Sequence, residues 1–221
     1  MQINRSGFSF LTRIASLFVL TSIAVNGLLA SEPRKIVVLG DSITAGYGLD
    51  REAAYPALLQ EKVNEHALPY EVVNAGVSGD TTASGLRRTN WVLARSQPAV
   101  FVIALGGNDG LRGIPVEQTR ANLAGIVQAV RQASPDTEIL IAGMRMPESM
   151  GRDYAESFYE TFSLVAEQQD AHLLPFLLEG VGGEASLNQS DQIHPNAAGQ
   201  KQIAETVWSA LEPLLVPKES I

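Results

Sequence analysis

Short Val- and Ile-rich runs alternate with amphipathic stretches from residue 35 almost to the C-terminus, and this alternation limits the architectures open to the chain more than any other feature. Residues 35–39, 70–74, 99–105 and 138–142 are apolar at nearly consecutive positions, the pattern of parallel strands buried on both faces. Residues 172–174 form a shorter fifth candidate. Between these runs, residues 52–65, 82–94, 116–133 and 152–169 space their apolar side chains as helices do. In the first, Tyr55, Leu58, Leu59 and Val63 share a face. In the third, Pro115 suits a first helical turn, and Leu123, Ile126, Val127 and Val130 form the inward stripe. A last helix is predicted from Pro195-Asn196 through Ile203, Val207, Trp208 and Leu211 to Pro213. Strand–helix alternation of this kind predicts the α/β class: a three-layer α/β/α sandwich with right-handed crossovers around a parallel sheet.

The first 30 residues stand apart. Arg5 and Arg13 precede an uncharged apolar stretch from Ile14 to Val25, and Leu28-Leu29-Ala30 then leads into the polar Ser31-Glu32-Pro33-Arg34. Positive, apolar and small regions in that order predict a secretory signal peptide over residues 1–30, with cleavage after Ala30 and a single domain over residues 31–221. The alternative is an uncleaved anchor, but the apolar core is shorter than the roughly 20 residues that span a bilayer. The expected destination is the periplasm or the exterior of a bacterial cell, with no stable membrane anchor once the segment is removed. Without Arg5 and Arg13 the chain carries 14 basic and 24 acidic residues, a net charge of −10. That balance disfavours nucleic acid and anionic lipid surfaces as partners. The chain has no cysteine, which excludes disulfides, thiolate metal sites and a lipid-modified cysteine.

Four polar or Gly-rich clusters carry the candidate chemistry. Three follow strand candidates: Gly40-Asp41-Ser42, the segment 74–80 with Gly76, Ser78, Gly79 and Asp80, and Gly106-Gly107-Asn108-Asp109. In a parallel sheet the C-terminal strand ends share one rim, so these three are expected close together. The fourth, Asp191-Gln192-Ile193-His194, lies just before the last helix. Each cluster alone reads equally well as a tight turn. A serine, a histidine and an aspartate gathered by the fold are the groups that nucleophilic acyl transfer requires.

Taken in order, the four clusters resemble the four blocks of the SGNH (GDSL-type) hydrolases, and within that family the bacterial thioesterase, lysophospholipase and arylesterase group. The resemblance covers residues 35–215 and includes GDSITAGYGLD, VVNAGVSGDTTASGL, ALGGNDGLRG, LLPFLLEGV and DQIHPNAAGQ. It implies a flavodoxin-like, five-stranded SGNH fold. It implies Ser42 as nucleophile, His194 as the base that later protonates the leaving group, and Asp191 as the residue that orients the imidazole. It further implies an oxyanion site made of the Ser42 and Gly79 N–H groups and the Asn108 side-chain amide. Gly76 sits in a similar segment, but the Ser78-Gly79-Asp80 triplet aligns with the family glycine, so Gly79 is preferred. Asp41 and Asp109 are expected to hold loops, and His66 and His172 to be structural. No metal or organic cofactor is implied.

The methionines left after removal of residues 1–30 are Met144, Met146 and Met150. Met adapts to variable apolar shapes. With Leu111, Ile114 and Ile193 on neighbouring loops, these residues are expected to form an acyl groove beside Ser42, although Met144 reads equally as the end of a core strand. The predicted function is therefore a serine esterase whose partners are small-molecule esters or thioesters: aryl esters, short-to-medium acyl esters, lysophospholipids and acyl-thioesters. A carbohydrate O-deacetylase of the same fold is the alternative, disfavoured by the few aromatic platforms, Tyr47 and Trp91. A metallophosphoesterase would need more histidines than His194 alone supplies. A non-catalytic acyl- or glycan-binding module would not need the full set of acyl-transfer residues. The oligomeric state is not legible in the sequence.

Overall fold

In the computed structural model, residues 32–215 are described; the predicted signal segment 1–30 and the residues after 215 lie outside the described residues. Five parallel strands, β1 (Arg34–Gly40), β2 (Tyr70–Gly76), β3 (Pro98–Ala104), β4 (Glu138–Ala142) and β5 (His172–Leu174), pair in the order β2-β1-β3-β4-β5. This is the flavodoxin-like order, and it reverses direction between β1 and β3. Helices α1 (Ser42–Ala45), α2 (Tyr55–Glu65), α3 (Thr82–Ser96), α4 (Gly107–Leu111), α5 (Val116–Ala133), α6 (Arg152–Gln168) and α7 (Ala197–Leu215) fill the connections. Right-handed crossovers that first step from β1 to β2 and then back toward β5 put α2 on one face and α3, α5 and α6 on the other. The packing agrees: α2 lies against α7, while α5 lies against both α3 and α6. The α/β/α sandwich read from the sequence is the observed fold.

The core follows the periodicities. Val37, Leu39, Phe101, Ile103 and Leu140 on the strands, Leu123, Ile126, Val127 and Val130 on α5, and Leu59 and Val63 on α2 have no exposed surface. Polar side chains tie the layers at their ends. Gln200 of α7, itself buried, accepts from the Tyr55 N–H at 2.8 Å and donates to the Ile43 carbonyl at 3.1 Å. The buried Tyr55 hydroxyl shares a 2.8 Å hydrogen bond with the Thr44 hydroxyl. Helices α2 and α7 thus hold α1 from below.

Beyond shifts of a residue or two at element ends, such as α7 running through Pro213 to Leu215, the structure departs from the sequence-based reading in three places. The helix expected over 52–65 is split into a 3-10 turn at Arg51–Ala53 and α2 from Tyr55, with Ala54 extended between them. Pro56 in the first turn of α2 explains the break: it has no N–H to donate to residue 52, so a helix begun there could not run through it, whereas a first turn needs no such bond. Strand β2 continues past Asn74 to Gly76, which pairs with Gly40. Gly76 therefore ends a strand, and a Cβ there would overlap the backbone of Ala45. Finally, α1 and α4 are single helical turns where the sequence showed only Gly-rich clusters, being too short for any periodicity to register.

Candidate active site

The switch point of the sheet places the ends of β1 and β3 side by side, and an open α/β sheet binds its ligand outside such a crevice. From β1 the chain passes through Asp41, which caps α1: its Oδ1 accepts from the Ile43 N–H at 3.0 Å. Ser42 is the first residue of that turn, so its N–H is one of the amides left without an intrahelical acceptor. Gly40 is required beneath it, because a Cβ would overlap the Thr44 hydroxyl.

The Asp191–His194 segment brings its side chains to the same rim. His194 Nε2 lies 3.0 Å from Ser42 Oγ, and His194 Nδ1 lies 2.7 Å from Asp191 Oδ2. With Nδ1–H donating to the carboxylate, Nε2 is the acceptor for the serine hydroxyl. Asp191 Oδ1 also accepts from the Ile193 and His194 N–H groups at 2.9 and 3.0 Å. The His194 N–H and ring, followed by the Ile193 N–H, hold the Asp191 carboxyl down at about 2. It is an anion at any pH at which imidazole titrates.

The first and second clusters meet the third at Asn108. Its Nδ2 donates to the Asp80 carbonyl at 3.0 Å and lies 3.4 Å from Asp41 Oδ2. One amide thus touches the chain neighbours of both Gly79 and Ser42. Gly79 sits at φ +84° in an exposed turn closed by Asp80 N–H donating to Val77 O, and its own carbonyl accepts from Arg112 at 3.0 Å. Arg88 fixes the other side of this loop, donating to Asp80 at 2.6 Å and to the Gly40 carbonyl at 2.9 Å. Asp109, fully buried, accepts from the Thr82 N–H and hydroxyl and so anchors α4 to the start of α3. Asp41 is also buried; desolvation pushes its carboxyl up to about 6, against the Ile43 N–H and the attraction of His194.

The apolar residues expected to line a groove are distributed around α4 and the histidine loop. Leu111 and Ile193 are each 49% exposed on the rim. Met146 is half-buried against Gly110, where a side chain would collide with it. Ile114, half-buried, has its carbonyl hydrogen-bonded to the Tyr154 hydroxyl at 2.9 Å, and Met150 closes a short turn at Glu148–Met150. Met144 is in the core beneath Gly107. Of its two readings, the end of a core strand matches its burial. His66 and His172 lie away from this rim, His66 against Trp208 and His172 beside Glu138. Sequence reasoning did not find the contacts of Arg88, Arg112, Gln189 and Gln200, because each is a long-range bond to a backbone atom and leaves no local pattern.

Comparison with known proteins places this geometry in a family. The model of the GDSL-like lipase/acylhydrolase family matches residues 38–202. The chain is 44% identical over 180 residues to Esterase TesA of Pseudomonas aeruginosa, covering 81% of this chain and 89% of that protein. It is 41% identical over 180 residues to Thioesterase 1/protease 1/lysophospholipase L1 of Escherichia coli strain K12, covering 81% and 84%. Among solved structures, that of TesA superposes with a TM-score of 0.79 over 82% of this chain and all of that one, at 44% identity. The psychrotrophic esterase EstA from Pseudoalteromonas sp., inhibited by monoethylphosphonate, superposes with a TM-score of 0.78 over 82% and 98% of the two chains, at 32% identity. With its four motifs on one sheet rim and a family match spanning residues 38–202, the chain belongs to the GDSL-like lipase/acylhydrolase family, the SGNH hydrolases.

Proposed function

We propose that Ser42, His194 and Asp191 carry out the ester hydrolysis of this serine esterase through an acyl-enzyme. The observation that carries the reading is the continuous line from Asp191 Oδ2 through His194 to Ser42 Oγ, at 2.7 and 3.0 Å. His194 Nε2 takes the proton as Ser42 Oγ attacks the carbonyl carbon, and the carbonyl oxygen becomes an oxyanion. The Ser42 and Gly79 N–H groups and the Asn108 amide receive that charge. Each such donor is worth about 2.7–4 kcal/mol of transition-state stabilisation. The intermediate collapses as His194 returns the proton to the leaving alkoxide or thiolate. Water then repeats the cycle on the acyl-serine, releasing the acid. Asp191 remains ionised throughout and balances the imidazolium.

The substrates we assign are aryl esters, short-to-medium acyl esters, lysophospholipids and acyl-thioesters, with the acyl chain running past Leu111, Ile114, Met146, Met150 and Ile193 and Met144 forming the floor beneath them. Supporting this range are the similarity to proteins named as esterase, thioesterase and lysophospholipase, and the apolar character of the loops around α4. Residues 1–30 serve, in this reading, to export the enzyme to the periplasm or beyond. The decisive experiment is covalent labelling by a fluorophosphonate, run beside turnover of p-nitrophenyl esters from C2 to C16. Wild-type protein is expected to label and turn over; Ser42→Ala is expected to do neither. Turnover surviving in Ser42→Ala would remove the acyl-enzyme.

A further inference from the structure

We propose that Tyr47 is a positioning residue for His194: its ring face holds the imidazole toward Ser42 and favours the imidazolium that forms at each proton transfer. The proposal rests on the acyl-enzyme reading above. The two ring centroids lie 4.5 Å apart with their planes inclined by 39°. That separation is in the range of offset aromatic packing and of cation–π attraction. A neutral imidazole gains only packing from such a neighbour. A protonated one is also drawn to the electron-rich face, so the contact strengthens as the reaction proceeds.

The position is built rather than incidental. Gly46 and Gly48 flank Tyr47 at φ 75° and 77°; a side chain at the first would meet Ala54 and one at the second would meet Gln189. The Tyr47 N–H donates to the carbonyl of Ser42 at 3.0 Å, so the ring hangs from the nucleophile's own turn. Gln189 then joins the two loops. Its Nε2 donates to the Tyr47 carbonyl at 2.7 Å and to the Pro195 carbonyl at 3.1 Å, while its N–H donates to the His194 carbonyl at 2.7 Å. Backbone bonds therefore fix both partners of the ring pair. About half of the Tyr47 surface, 53%, stays exposed, so replacing it leaves the core intact.

The charged groups that act on His194 come from elsewhere. Asp191 meets Nδ1, and Asp41, buried under α1, attracts the ring from a distance. Asp80 acts in turn on Asp41 and is itself paired with Arg88. Tyr47 packs against the imidazole ring, whereas the Asp191 carboxylate meets it at Nδ1.

The test is the pH profile of kcat/KM on p-nitrophenyl acetate for wild type, Tyr47→Leu, Tyr47→Phe and Tyr47→Trp, with fluorophosphonate labelling of each. Tyr47→Leu is expected to move the acid limb down by roughly half to one pH unit and to lower the plateau roughly three- to tenfold. Tyr47→Phe keeps the face and is expected to match wild type; Tyr47→Trp is expected to hold the limb or raise it. An unmoved limb in Tyr47→Leu, a fall in Tyr47→Phe as large as in Tyr47→Leu, or a lowered limb in Tyr47→Trp overturns the proposal. A merely structural role would lower the plateau without moving the limb. Labelling that persists in these variants keeps the outcome separate from the acyl-enzyme reading, which fails only if Ser42→Ala remains active.

Discussion

The two halves of the candidate triad are held in opposite ways. Ser42 stands on α1, which is fixed from beneath by buried groups: the Asp41 cap, the Thr44–Tyr55 hydroxyl pair and the Gln200 side chain. Asp191 and His194 stand on a loop belonging to no strand or helix, braced by its own polar side chains. Asn188 donates to the Val181 and Glu184 carbonyls, Asn196 to the Ser186 and Asn188 carbonyls, and Gln189 to Tyr47 and Pro195. The nucleophile is held by buried bonds within close-packed layers, the base by bonds on a mostly exposed loop. The first should resist small losses and fail with overpacking; the second should tolerate added volume and fail when a donor or charge is removed.

The largest effect is expected on the loop side. Asp191→Asn keeps an oxygen for the Ile193 and His194 N–H groups but removes the charge beside Nδ1. Turnover of p-nitrophenyl esters is expected to fall by about 10⁴ with the melting temperature almost unchanged, by analogy with loss of the orienting carboxylate in other triads. A comparable fall in melting temperature would mean that the loop is part of the cooperative core, and the contrast would be lost.

Next in size is Gly40→Ala, on the packed side. The added methyl would overlap the Thr44 hydroxyl and crowd the Ala104 carbonyl, both parts of the support under Ser42. A loss of about 3 kcal/mol of stability is expected in denaturant titration, near the upper end of the range for overpacking. Loss of activity without loss of stability would show α1 to be adjustable rather than fixed.

How much of this was legible in the sequence follows the same division. Buried strands and long helices declare themselves by period, and residues 116–133 and 138–142 were bounded from that signal alone. Three of the four clusters were expected together because strand ends in a parallel sheet share a rim, while the roles of Ser42 and Asn108 within them came from the family resemblance. The braces were not legible. Gln200, Gln189 and Arg88 are polar residues whose partners are backbone atoms 157, 142 and 48 positions away, and neither period nor composition encodes such a bond. Met144 shows the converse: its grouping with Met146 and Met150 left a groove and a core-strand end equally open, and only the structure shows it buried beneath Gly107.

The carboxylates of the two sides pull the pH dependence of stability in opposite directions. Asp191, held down at about 2, contributes stability present above its ordinary value of 3.8 and lost as pH falls toward 2, but only a little, because solvent screens the exposed carboxylate. Asp41, pushed up to about 6 by burial, keeps its proton in the folded state over an interval in which the unfolded chain releases it. Stability therefore falls as pH rises from about 4 to 6 on account of Asp41. Asp41→Asn imitates the protonated acid and keeps an acceptor for the Ile43 N–H. It is expected to be more stable than wild type by about 3 kcal/mol at pH 8 and close to it at pH 4, read from urea titrations at the two values. A variant less stable at both would mean that the site is built for the charged form.

The smallest and most local effect is expected from Gln189→Ala. The change removes two side-chain donations, to Tyr47 at 2.7 Å and to Pro195 at 3.1 Å, but leaves the backbone bond from residue 189 to the His194 carbonyl. Each lost bond is exposed enough for water to replace it, so the net cost is about 1 kcal/mol, or roughly a fivefold fall in kcat/KM. If hydrogen bonds alone brace this loop, the loosening should stay within it. Amide exchange is then expected to quicken at Ile193 and His194, whose N–H groups bond to Asp191, and to stay slow along β1. Faster exchange in β1 as well would join the two halves into one unit. The tolerance expected of the histidine loop would then have no separate structural basis.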